Sequence, residues 1–251
     1  MKKLLMLALV LCLTCSVAFA DVAIDKKNFP DQTFREEVVK TFDQDGDGKL
    51  SVKEIEAVEE IECRDKGIKS LQGVEIFTGL KRLFANGNQL TEIDPGIFPE
   101  LEVLHIPGNQ VTTLDVSRNP KLQDLQFAEN QLTEIDLSSN PELTAFQCSG
   151  NQLTVLDVSN NPELTYIEAI ANQLTELDLS KNPNLTDLYL QGNQIKELDI
   201  SACPKLVELV GKIERKSEND PMMGKFDAFN GDALGCWMWI DSDVNLITEA
   251  K

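Results

Sequence analysis

"LTAFQCSGNQLTVLDVSNNPE", residues 143–163, is one unit of a pattern that returns every 21 residues through most of this chain. Asparagine recurs at Asn88, Asn109, Asn130, Asn151, Asn172 and Asn193. Leucine keeps the same step from Leu80 to Leu206, and proline from Pro99 to Pro204. Several columns in phase over so many units define a repeat architecture, in which no unit can bury its apolar face alone and stacking supplies the core.

The unit has two halves. In "LTDLYLQGNQI" (residues 185–195) the spacing predicts a short strand, with Leu188 and Leu190 inward and Asp187, Tyr189 and Gln191 outward. The chain must then turn, and the column of asparagines can bond backbone groups that bending leaves without partners, forming a ladder. The return half, as in "LTELDLSKNPN" (174–184), holds proline and turn formers and has no 3.6-residue period, so it reads as extended chain and turns. A divergent first unit begins near Val58, with Ile61, Cys63 and Ile68 inward. The count is then about eight strands, the last passing through Val210.

The pattern L-x-x-L-x-L-x-x-N-x-L resembles a leucine-rich repeat. Over residues 58–211, with 21-residue units and "LDLSxNP"-type return segments, the chain is most similar to the internalins among secreted bacterial leucine-rich-repeat proteins. The resemblance implies an α/β-type horseshoe solenoid with a parallel concave β-sheet and a non-helical convex side. It also implies that a cysteine such as Cys148 is tolerated at an inward strand position.

Ahead of the array stands "DQDGDGKLSVKE", residues 43–54. Asp43, Asp45 and Asp47 occupy positions 1, 3 and 5 of an EF-hand loop, with Gly48 at the sharp turn. Lys49 offers a backbone carbonyl, Ser51 the water-linked position, and Glu54 the bidentate carboxylate. Carboxylates so clustered call for a hard divalent cation, and about seven oxygen ligands favour Ca2+ over Mg2+. Pro30 and Asp31 start a helix before the loop, with Phe34, Val38 and Phe42 on one face, and "SVKEIEAVEEI" forms a short one after it. Such loops usually pair, and only one is present. Its position predicts that residues 21–57 form an EF-hand-like cap on the open N-terminal end of the solenoid.

Residues 1–20 read as a secretory signal peptide: Lys2 and Lys3, an apolar run, then Ala18-Phe19-Ala20 before a cleavage point. The protein is thus expected outside the cytoplasm, as a secreted, cell-surface or periplasmic chain, with no transmembrane segment. With 23 basic and 42 acidic residues, a net charge of −19 excludes nucleic acid as a main partner. Residues 212–251 leave the repeat. "KFDAF", "LGCWMWI" and "VNLIT" predict a small β cap, in which Trp237 and Trp239 either shield the last repeat or form a ligand platform. Cys63 and Cys148 read as buried apolar residues, and a Cys203–Cys236 bridge remains open.

Inward columns are monotonous, whereas the outward columns vary. Arg82, Phe84, Val103, His105, Gln126, Gln147, Tyr166, Glu168 and Tyr189 are the expected partner-binding residues. His105 is the single histidine, and no catalytic set accompanies it. The sequence therefore predicts a non-catalytic, monomeric, calcium-binding module that engages a protein or surface glycan on its concave sheet. The alternative is a regulator in which calcium switches the array.

Overall fold

Seven three-residue strands, one per turn, stack in parallel along the molecule. The computed structural model describes residues 21–212, 216–220, 224–231 and 236–249; the expected leader, residues 1–20, lies outside them. The strands are β3 (Glu60–Glu62), β4 (Arg82–Phe84), β5 (Val103–His105), β6 (Asp124–Gln126), β7 (Ala145–Gln147), β8 (Tyr166–Glu168) and β9 (Asp187–Tyr189). They pair in register, so each column of the repeat becomes a row across the sheet. From β4 to β9 the middle residue is buried and its neighbours half-buried. This is the period of two read from the sequence.

The asparagine ladder is present. Each Nδ2 from Asn109 to Asn193 donates within its own turn and to one carbonyl of the turn before, and each Oδ1 accepts an amide of the earlier turn. A second ladder runs through the return segments. Asn119, Asn140, Asn161 and Asn182 are fully buried, and each Nδ2 bridges two carbonyls at 2.8–3.0 Å. The same column begins with buried Phe77 and Phe98 and ends with Cys203, whose thiol points at the carbonyl of Asn182 at 3.5 Å. Beside it, Asp115, Asp136, Asp157, Asp178 and Asp199 each accept the amide two residues on. These side-chain turns replace helix on the return side. Two single 3-10 turns, Val74–Ile76 and Pro95–Ile97, are its only helical pieces between β3 and β9.

At the N-terminal end the chain forms β1 (Val22–Ala23), α1 (Gln32–Phe42), β2 (Lys49–Leu50) and α2 (Val52–Glu56). Asp31 caps α1 by accepting the Phe34 amide at 3.0 Å, and Phe34 and Val38 are buried, as the spacing predicted. The unit is fastened to the first turns of the array. Asp31 also accepts the amides of Lys69 and Ser70, Glu37 pairs with Lys66 at 3.0 Å, and the rings of Phe42 and Phe77 lie 5.1 Å apart. Gly73, at φ +104°, allows the closest approach: a Cβ there would lie 2.4 Å from the Phe29 ring.

The C-terminal end departs from expectation. No eighth strand forms around Val210; residues of that unit lie in α3 (Pro204–Lys212), which buries Leu206 and Leu209. Its proline takes the N-terminal turn of that helix, where a missing N–H costs nothing. Before it, β10 (Glu197–Asp199) belongs to the return side. The tail then supplies β11 (Lys216–Asp220), β12 (Gly224–Gly231), β13 (Cys236–Asp241) and β14 (Asn245–Ile247). Strand β13 lies parallel to β9, β14 lies parallel to β10, and the hairpin β11–β12 extends the same sheet to ten strands. The tail is thus a substitute eighth turn, continuous with the sheet. Asp241 reinforces it by accepting the amides of Gly192 and Asn193.

Two further readings are corrected. Gln191 is fully buried, because β13 covers the end of β9 where solvent was expected. Cys236, Met238 and Ile240 are the buried residues that close the last turn, whereas Trp237 and Trp239 take the half-buried alternate positions on the sheet face. All four described cysteines are free thiols, so no Cys203–Cys236 bridge exists in this structure. Burial pushes the Cys63 thiol up to about 12 and that of Cys203 to about 11. At neutral pH both are protonated and unreactive.

Candidate functional site

The open face of the sheet gathers every residue singled out for partner binding. Register places Arg82, Val103, Asp124, Ala145, Tyr166 and Asp187 in one row, and Phe84, His105, Gln126, Gln147, Glu168 and Tyr189 in the next. The short strands are fixed from behind by Leu83, Leu104, Leu125, Phe146, Ile167 and Leu188, all fully buried. The face is therefore carried on a rigid core.

Its side chains form local networks. Arg64 stacks over the Phe84 ring, 4.6 Å from the centroid, and the Phe84 ring meets His105 edge-on at 5.0 Å. His105 Nε2 lies 2.8 Å from an Asp124 carboxylate oxygen, and Gln126 donates to the same carboxylate. Among the described residues no serine, threonine or cysteine is hydrogen-bonded to His105. Toward the other end, Tyr166 donates to Glu168 at 2.7 Å, and Ser149 donates to the second oxygen of Glu168. Partial burial, together with the Glu168 contact, pushes the Tyr166 phenol well above its ordinary range. Tyr189 touches Tyr166 at 5.6 Å and Trp239 at 5.4 Å. Trp239 was expected as part of the tail, shielding the last repeat or forming a ligand platform, and not as a residue of the sheet face. The alternation of Trp237, Met238 and Trp239 was visible, but not the docking of β13 on β9 that puts both rings on this face.

The acidic loop is the second candidate. Asp43, Asp45 and Asp47 each bring one carboxylate oxygen to within 4.8 Å of the others. A cation bound at about 2.3–2.6 Å from each oxygen would fit that spacing. The loop is held by its own amides: Asp43 accepts those of Gly46 and Gly48 at 2.8 and 3.0 Å, and Asp47 accepts that of Lys49 at 2.8 Å. Gly46 and Gly48 take φ of +73° and +80°, left-handed turns that glycine adopts without strain. Lys49 lies in β2, and β2 pairs antiparallel with β1, Val22 opposite Leu50. The pairing ties the end of the acidic loop to the N-terminal residues.

Ser51 and Glu54 stand apart from the aspartates. Together they form a capping box at the start of α2: Glu54 accepts the Ser51 amide and hydroxyl, both at 2.8 Å, while Ser51 accepts the Glu54 amide. The other Glu54 oxygen accepts the Gln44 amide at 2.7 Å. The Ser51 and Gln44 donors hold the Glu54 carboxyl below its usual range. The three aspartates thus fit a hard divalent cation as they stand, and Glu54 is ionised but engaged with backbone donors.

Comparisons with known proteins agree with this architecture. A family model described as "Leucine Rich repeat" matches residues 181–202. Internalin J of Listeria monocytogenes is 35% identical over 66 residues, 26% of this chain. The match spans only 7% of that relative's length. Among solved structures, internalin C2 from Listeria monocytogenes superposes with a TM-score of 0.54 at 22% identity, covering 70% of this chain and 89% of that one. The leucine-rich effector protein YopM from Yersinia pestis gives 0.53 at 27%, covering 67% and 44% respectively. Solenoids of this kind serve typically as interaction scaffolds and not as enzymes. Among the described residues no helix is long and apolar enough to cross a membrane. The chain folds as a parallel-sheet solenoid of leucine-rich repeats, similar in fold to the Listeria internalin C2 structure.

Proposed function

We propose that the protein is an exported, non-catalytic, calcium-binding scaffold that engages a protein partner through the open face of its sheet. The observation that carries this reading is the contrast within each strand: an invariantly apolar buried middle residue flanked by half-buried side chains that differ from turn to turn. Rows of rigid, unlike side chains with rings at both ends are what a contact surface needs. The leader pattern of residues 1–20 supports export.

In this reading Ca2+ sits among Asp43, Asp45 and Asp47, with the Lys49 carbonyl, a water held by Ser51, and Glu54 completing the EF-hand set. The ion competes with the Gln44 and Ser51 donors for the Glu54 carboxylate. That competition weakens affinity, which suits a site filled at extracellular calcium levels of about 10⁻⁴–10⁻³ M. The metal would stiffen the helix–loop–helix that covers the first turn.

The test is photocrosslinking with benzoylphenylalanine placed at Gln126 or Tyr189 on the sheet face, and at Val155 on a return segment, where the side chain is 67% exposed. Crosslinks to one partner from the first two positions and none from Val155 support the reading. Equal yields from all three contradict it.

A further inference from the structure

The end of the sheet face nearest the tail is a checkerboard of rings and carboxylates. Across β8, β9 and β13 one row reads Tyr166, Asp187, Trp237 and the next Glu168, Tyr189, Trp239. Tyr189 sits at its centre, in contact with the rings of Tyr166 and Trp239. Each carboxylate is held by a neutral donor: Tyr166 hydroxyl on Glu168 at 2.7 Å, and Thr186 hydroxyl on Asp187 at 2.6 Å. The arginines of the face stand at the opposite end, Arg82 paired with Glu60 and Arg64 with Glu62. No ion pair among the described residues involves Glu168 or Asp187.

Two fixed carboxylates beside aromatic rings, in no ion pair among the described residues, form a surface that a neutral ligand would cover at a desolvation cost. Burial already pushes the Asp187 carboxyl above its ordinary value. A cation offsets that cost and gains from the rings as well. Guanidinium suits the arrangement best, because it is planar, stacks on an aromatic face and bonds a carboxylate through two N–H groups. We propose that this checkerboard seats an arginine-bearing segment of the protein partner, between Glu168 and Asp187 and against Tyr189 and Trp239. The proposal rests on the reading of the sheet face as the binding surface.

The experiment titrates the purified protein with the peptide Gly-Arg-Gly-Arg-Gly at physiological salt, followed by calorimetry and tryptophan fluorescence. The same peptide with citrulline for arginine, and a neutral oligosaccharide, are the comparison ligands. The variants are Tyr189→Ser, the near-isosteric pair Glu168→Gln with Asp187→Asn, the return-side pair Asp136→Asn with Asp157→Asn, and Phe84→Ser at the far end of the face. Circular dichroism confirms that each folds. Binding of the arginine peptide alone, weakened about tenfold by the first two changes and under about twofold by the others, supports the proposal. Equal weakening by the return-side pair shows bulk charge attraction and overturns it. So does preference for the oligosaccharide, or no binding of the arginine peptide. Sensitivity to Phe84→Ser alone overturns the checkerboard but leaves the sheet-face reading standing. Binding that no face variant changes removes both.

Discussion

The Oδ1 atom of Asn130 accepts a 2.9 Å hydrogen bond from the amide of Val111, a fully buried residue one turn earlier. The four buried asparagines of the second ladder differ, because their Oδ1 atoms accept no protein donor. Removing the side chain therefore costs differently in the two columns. Asn130→Ala strands the Val111 amide and removes the donations to the carbonyls of Ile106, Phe127 and Ala128, an expected loss of about 3–4 kcal/mol. Asn161→Ala removes only donations to the carbonyls of Leu137 and Asn140, each of which also accepts a backbone amide. Its expected cost is about 2 kcal/mol. Urea unfolding of both variants, with exposed Asn160→Ala as a baseline, measures the difference.

The residue before each ladder asparagine turns left-handed. Glycine takes this place at 87, 108, 150 and 192, but Glu129 and Ala171 adopt φ of +54° and +52° without its freedom. Relieving a Cβ clash of about 1–2 kcal/mol outweighs the extra disorder glycine brings to the unfolded chain, about 0.4–1 kcal/mol. Ala171→Gly should stabilise by about 0.5–1 kcal/mol, and Gly150→Ala should destabilise. Thermal melting reads both signs.

Asp31 joins the helical unit to the array. Burial raises the pKa of its carboxyl, but amide donors from Phe34, Lys69 and Ser70 outweigh that effect and hold it below the usual carboxylate value. A folded value below the unfolded one means the contribution is full above about pH 5 and lost as pH falls through the folded value. Asp31→Ala should cost about 1–3 kcal/mol at pH 7, from the cap and the two repeat amides together. The gap to the natural protein should narrow as pH is lowered below about 4. Unfolding curves at a series of pH values test this; a gap independent of pH would contradict it.

How far the sequence could be read follows from the range of each interaction. Strand phase, the first ladder and the α1 cap rest on local periodicity and residue type, and Leu188, Asn130 and Asp31 stand where the pattern puts them. The second ladder was legible in the column Asn119 to Asn182, but the "SxNP" motif resembles an ordinary solvent turn. Only stacking shows those asparagines to be fully buried. The eighth turn was not legible, because it is assembled from residues about forty positions later. Leu206 keeps the leucine spacing yet lies in α3, and β13 takes the vacated place beside β9. That long-range substitution is also what hides Gln191 and adds Trp239 to the sheet face. At the acidic loop, residue order pointed to Asp43, Asp45, Asp47 and Glu54 alike, whereas the structure gathers only the aspartates and gives Glu54 to the α2 cap.

The central claim is that the protein is a fixed scaffold with a metal-held cap and not a calcium switch. Its most direct test is a calorimetric Ca2+ titration, followed by melting and by the fluorescence of Trp237 and Trp239, which lie at the end of the sheet remote from Asp43. The account predicts one site of about 10⁻⁴–10⁻³ M. At tenfold excess over the dissociation constant it adds about 1.4 kcal/mol of stability and leaves the tryptophan emission unchanged. No binding would contradict the metal assignment. A tight site that shifts the emission of both tryptophans would contradict the scaffold and make the array a calcium-responsive regulator.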